Sequence, residues 1–124
     1  MINGAHFLLY SKDSEADRDF LRDVLQFRSV DAGRGWLIFR LPPAEVAVHP
    51  ASEDSPPDAE GAVAGAALYL MCDDLSSTMK DLRAKKVKFS PVEEAQWGTV
   101  TTFRLPSGAS IGLYQPKHPT ALKL

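Results

Sequence analysis

Three histidines, three tyrosines and two tryptophans carry most of the chemistry available to this chain of 124 residues beyond packing and charge. His6 opens the short apolar run His6-Phe7-Leu8-Leu9-Tyr10, and His49 closes the run Glu45 to His49. Imidazole nitrogen is a ligand for iron, zinc, nickel or manganese, so the two histidines form a candidate metal pair. A stable centre takes a third and a fourth ligand from protein or solvent. Glu45, Glu93, Glu94 or a partner subunit are the available carboxylate sources. The plainer alternative is two histidines hydrogen-bonded in a polar cleft. The sequence leaves both open: one divalent metal, or none.

Tyr10, Tyr69 and Tyr114 offer flat faces for stacking and hydroxyls for hydrogen bonds, which suits a planar or aromatic ligand. Filling the interior of a sheet is the competing use. Trp97 precedes Gly98 at a turn and is a candidate wall of the same pocket, while Trp36 follows Gly35 at another turn. Arg104, and Arg40 with it, can grip an anion through the guanidinium fork, although an outward salt bridge is the simpler expectation. His118 lies in a C-terminal tail and is expected to face solvent, with folding over the cleft as the lesser alternative. Cys72 is the single cysteine, so no internal disulfide forms. Such a thiol is expected to pack in the interior, and a reducing cytoplasm is the default compartment.

The elements that position these groups read as strands and helices in alternation. After the first apolar run, Lys12-Asp13-Ser14 opens a helix, with Ser14 and Asp17 spaced like a capping box. Ala16, Phe20, Val24 and Phe27 recur at helical spacing, and Leu21 and Leu25 widen the buried stripe. Strands are expected from Phe27 to Val30, from Trp36 to Leu41 after the turn Gly33-Arg34-Gly35, and from Glu45 to His49. From Pro50 to Gly65 the chain is rich in Pro, Ser, Asp, Glu, Gly and Ala without periodicity, which reads as a linker or loop. Ala67 to Met71 then repeats the opening run. Asp73-Asp74 cap a helix with Leu75, Met79 and Leu82 on one face, and Lys85-Lys86 complement its C-terminal dipole. Val87 to Val92, Val100 to Arg104 and Ser110 to Tyr114 are the remaining expected strands, with Pro106-Ser107-Gly108 as a tight turn.

Both halves therefore run strand, helix, strand, strand, strand, and Phe39-Arg40-Leu41-Pro42 recurs as Phe103-Arg104-Leu105-Pro106 at the matching place. Neither half buries a sheet with one helix alone, so the halves must pack together. The expected fold is α+β: two βαβββ modules whose curved mixed sheets surround a cleft, with helices outside. One domain covers 1–124, with the first module at about 1–52, the linker at about 50–65, the second module at about 66–116 and an irregular tail at 117–124. Side chains alternate faces along a strand. That rule separates Phe7 and Leu9 from His6, Leu8 and Tyr10, Leu68 and Leu70 from Tyr69 and Met71, and Ile111 and Leu113 from Gly112 and Tyr114. Aliphatic sets belong against helices, which directs the histidines and tyrosines into the cleft.

A formal net charge of −2 gives no electrostatic reason to bind nucleic acid or an anionic membrane. No apolar stretch approaches the ~20 residues that a membrane helix requires. Met1-Ile2-Asn3-Gly4 lacks the basic and apolar regions of a signal peptide, in keeping with a cytoplasmic location. No phosphate-cradling glycine loop or nucleophile elbow is present.

The order of elements, the start Gly4-Ala5-His6 and the ending from Phe103 to Pro116 resemble the vicinal oxygen chelate superfamily, which holds glyoxalase I, extradiol dioxygenases and bleomycin- and fosfomycin-resistance proteins. The ending is similar to the pattern F-R-D-P-x-G-N-x-I-E-L. Leu105 stands where that pattern has Asp, Ala109 where it has Asn, and Gly112 where it has Glu. Metal-dependent members take one ligand from the first and last strand of each half. The resemblance places these positions on His6, His49, about Ala67 and Gly112, and the last two carry no donor. It also implies a homodimer.

Two functions follow from the resemblance. One is a small-molecule-binding protein with an incomplete metal site, holding a small organic or aromatic ligand in the cleft. The other is a metal-dependent enzyme of the extradiol dioxygenase or glyoxalase-like lyase kind, using His6 and His49.

Overall fold

Helix α1 (Ser14–Asp23) starts one residue earlier than the capping-box spacing suggests. Asp13 is the N-cap, and its carboxylate accepts the Ala16 amide at 3.2 Å. This leaves Asp17 free for a different partner. The structure is a computed structural model and describes residues 1, 5–47 and 66–123. Gln26, in the left-handed region at φ 60°, turns the chain out of the helix. Strands β1 (Ser29–Asp31) and β2 (Leu37–Phe39) then form an antiparallel hairpin, Val30 opposite Ile38. Its turn is held by the Asp31 carboxylate, which accepts the amides of Gly33 at 2.7 Å and Gly35 at 3.2 Å.

The second half reads strand, helix, strand, strand, strand. Its elements are β3 (Tyr69–Met71), α2 (Leu75–Arg83), β4 (Glu93–Ala95), β5 (Gly98–Arg104) and β6 (Ser110–Pro116). They make one sheet in the order β3-β6-β5-β4, parallel between β3 and β6 and antiparallel elsewhere. Asp74 caps α2 by accepting the Ser77 amide at 3.0 Å. The strand expected from Val87 to Val92 begins later, at Glu93. Pro91 has no N–H to give a ladder. Ser90 bridges to β5 alone, through its amide to the Thr102 carbonyl at 2.9 Å and its hydroxyl oxygen to the Thr102 amide at 2.9 Å.

Leu75, Met79, Val87, Phe103, Leu105, Ile111 and Leu113 form the buried core on one face of this sheet. Phe20, Leu21, Val24 and Leu25 of the first half pack onto the same core, and Phe20 stacks on Phe103 with ring centroids 6.0 Å apart. Both helices therefore cover one side. A polar contact fastens them there: Asp17, 6 % exposed, accepts the Ser107 amide at 3.0 Å and the Ser107 hydroxyl at 2.7 Å.

The architecture is α+β, as expected. Two expected strands of the first half do not appear among the described residues. Residues 6–10 and 41–47 run without helix or strand, and 6–10 find no ladder partner among the described residues. Phe7 and Leu9, expected against a helix, stand exposed, as does Leu8. His49 and the linker at 50–65 lie outside the described residues. No described helix is long and apolar enough to cross a membrane.

Candidate functional site

Register decides what faces away from the helices. Tyr69 pairs with Gly112, Met71 and Val100 both pair with Tyr114, and Thr102 pairs with Gly112. Ile111 and Leu113 point into the core, so period-two alternation sends Gly112 and Tyr114 to the opposite, open face. Tyr69 crosses the strand and lies over Gly112. A Cβ at Gly112 would sit 2.8 Å from the Tyr69 Cγ and nearer still to two other ring atoms, so only glycine fits under that ring. Gly98 does the same for Tyr114: a Cβ there would lie 2.9 Å from its Cδ2.

Trp97, in the tight turn between β4 and β5, completes the group. Its ring centroid is 5.3 Å from that of Tyr114 and 6.1 Å from that of Tyr69, and Tyr69 is 5.9 Å from Tyr114. All three pairs meet edge to face, an arrangement the aromatic quadrupole favours. Tyr114 is the floor at 8 % exposed, whereas Tyr69 and Trp97 keep 47 % and 43 %. Flat faces thus remain for a ligand to stack on.

The C-terminal tail folds back onto this group, contrary to the expectation that His118 faces solvent. His118 is half-buried and stacks on Tyr114 at 5.9 Å. Its Nδ1 lies 2.8 Å from the Pro119 carbonyl, which only accepts, so Nδ1 carries the proton. In the tautomer with the proton on Nδ1, Nε2 accepts the Tyr114 hydroxyl at 3.1 Å. Burial first, and the nearby Glu45 charge second, push the Tyr114 phenol above its ordinary value and keep that donor protonated. Glu45 itself accepts the Ala121 amide at 2.7 Å, and Lys117 reaches Glu94 at 2.7 Å. No periodicity in the sequence marks these tail contacts.

Of the residues singled out by sequence, Tyr69, Tyr114 and Trp97 come together. Tyr10 and Arg104 do not join them: both line a separate hollow at the end of the sheet. Arg104 donates to the Gly108 carbonyl at 2.9 Å rather than to a carboxylate, a departure from the outward salt bridge expected of it. His6 is exposed. Among the described residues no three His, Cys, Asp or Glu side chains gather where they could hold a metal. Glu94 is committed to Lys117 and Thr99, and those bonds hold its carboxyl below the usual range. Of the four positions where the resemblance implies ligands, Ala67 and Gly112 bring no donor, Tyr69 occupies the space above Gly112, and His49 lies outside the described residues. Cys72 donates to the Tyr114 carbonyl at 3.6 Å, and burial pushes its thiol up.

Comparison with known proteins places this geometry in context. The model of the family described as "Glyoxalase/Bleomycin resistance protein/Dioxygenase superfamily" matches residues 4–113. Among solved structures the chain is similar to TnmS3, an antibiotic binding protein from Streptomyces sp. CB03234, with 23% identity and TM-score 0.65 over 94% of this chain and 99% of that one. It is similar to a lactoylglutathione lyase from Agrobacterium tumefaciens, with 20% identity and TM-score 0.62 over 91% and 92% of the two chains. A superfamily member from Sphaerobacter thermophilus DSM 20745 shares 24% identity, with TM-score 0.57 over 92% and 98%. Likeness at these identities establishes the fold. Comparison with curated proteins yields no match.

Proposed function

The chain belongs to the Glyoxalase/Bleomycin resistance protein/Dioxygenase superfamily, and from that premise we propose that it binds a small planar organic molecule on the open face around Tyr69, Trp97 and Tyr114, as a carrier or sequestering protein. The observation that carries the reading is the Tyr69 ring over Gly112. A place where the resemblance implies a metal ligand holds an aromatic surface instead. Two exposed rings on a buried third form a stacking platform, and stacking is tolerant of ligand chemistry. Likeness to an antibiotic binding protein supports binding without turnover. The test is tryptophan fluorescence quenching during titration with a planar tricycle such as acridine. Saturable quenching that Tyr69→Ala, which keeps both tryptophans, weakens by about tenfold supports the reading. Quenching unaltered in that variant sinks it.

The alternative is a metal-dependent dioxygenase or glyoxalase-like lyase built on His6 and His49, favoured by the likeness to lactoylglutathione lyase. It needs donors that Ala67 and Gly112 do not supply. Elemental analysis of the purified protein and of His6→Ala decides it: stoichiometric metal lost in the variant would establish the enzyme reading.

The same reading takes the chain as a homodimer. Among the described residues of the first half only Asp17 is buried, while Phe7, Leu8 and Leu9 stand in water beside unpaired backbone. A second copy would cover them. Light scattering that returns a monomer mass refutes this assembly.

A further inference from the structure

The hollow at the end of the sheet has a charge pattern of its own. It is an open hollow of about 410 Å³, lined by Tyr10, Lys12, Arg104, Ser107, Gly108 and Ala109. That volume is in the range of clefts that hold small organic molecules rather than bare ions. Among the described residues its only charged lining groups are the cations Lys12 and Arg104, and neither meets a carboxylate there. The nearest acid identified by contact, Asp17, has both oxygens committed to Ser107 on the helix side of the turn. That contact takes the Ser107 hydroxyl and amide out of the hollow and fixes the turn that shapes it.

The remaining groups are donors. One Arg104 nitrogen, Nη1, is tied to the Gly108 carbonyl at 2.9 Å, which sets the plane of the guanidinium and leaves Nη2 and Nε for another partner. The Ala109 amide has no partner among the described residues. The Tyr10 hydroxyl is exposed beside them. The residues lining the hollow bring a guanidinium, an ammonium and a phenol, beside an amide N–H without a partner among the described residues, and no carboxylate. An oxyanion is the ligand chemistry that completes this set, since it accepts several charge-assisted bonds at once.

We propose that this hollow binds the carboxylate or phosphate group of a small organic molecule, with Arg104 and Lys12 as its two charged contacts. The site is distinct from the aromatic face. Along β5, Arg104 lies two residues from Thr102, which is opposite Gly112 and the Tyr69 ring, and four from Val100, which is opposite Tyr114, so roughly 7 to 13 Å of strand separates the two. The inference therefore stands whether or not a planar ligand binds at Trp97.

The experiment is amide NMR of the full chain, titrated in parallel with inorganic phosphate and with acetate at constant ionic strength. Saturable shifts at the Gly108 and Ala109 amides are expected, weakened about tenfold in affinity by Arg104→Gln and by Lys12→Gln. Tighter phosphate binding identifies a phosphoryl ligand, and tighter acetate binding a carboxylate. Both side chains are exposed, so an unchanged melting temperature shows that the variants remain folded. Non-saturating shifts spread over the surface, or saturable shifts that both substitutions leave intact, overturn the proposal.

Discussion

The Tyr69 ring lies across the bare backbone of its cross-strand partner Gly112, in the space where any other residue would place its Cβ. The two positions are coupled sterically. Gly112→Ala should force Tyr69 off the sheet and destabilise the fold by about 1–3 kcal/mol. Tyr69→Ala in the same chain removes the obstacle, so the double variant should be less destabilised than the sum of the singles. Denaturant unfolding of the four proteins checks this. Strict additivity would mean that the ring does not occupy that space.

A second prediction concerns acid. Burial raises the Asp17 carboxyl, but bonds from the Ser107 and Ser11 hydroxyls and the Ser107 amide outweigh it and hold the group below its ordinary value of 3.8. The folded state binds that proton less readily than the unfolded chain. Asp17 therefore contributes stability above pH 3.8 that is lost as pH falls through the lower folded value. Asp17→Asn should cost about 1–3 kcal/mol at neutral pH, with the gap to the native chain closing in acid. A gap constant down to acid would contradict the assigned bonds.

Tyrosine ionisation offers a third check. Tyr114 should deprotonate above its ordinary value of 10.0. Because the unfolded chain ionises first, this residue withdraws stability once pH climbs past 10.0. Ultraviolet titration should show a late phenolate step that Tyr114→Phe removes and Glu45→Gln brings to lower pH.

Thiol reactivity is a fourth. Burial above all, and the charges of Asp73 and Asp74, raise Cys72 above its ordinary value of 9.0. Little thiolate then forms at neutral pH, so iodoacetamide should modify the folded protein more slowly than the unfolded chain. Equal rates would place the sulfur in open solvent.

Much of this molecule is written in short-range pattern. The Asp74 cap, the apolar stripes of both helices and the alternation that separates Ile111 and Leu113 from Gly112 and Tyr114 each involve residues a few positions apart. Helix and strand periods act over that distance, so the α+β class and the sorting of Tyr69 and Tyr114 to one face are legible without coordinates. Partner choice across the chain is a different matter. Asp17 finds Ser107 ninety positions away, the tail brings His118 onto Tyr114, and Tyr10 lies with Lys12 and Arg104 instead of with the other tyrosines. Residues 6–10 have a strand's composition but no ladder among the described residues, because a strand's hydrogen bonds belong to its neighbour and the neighbour is chosen by the whole fold.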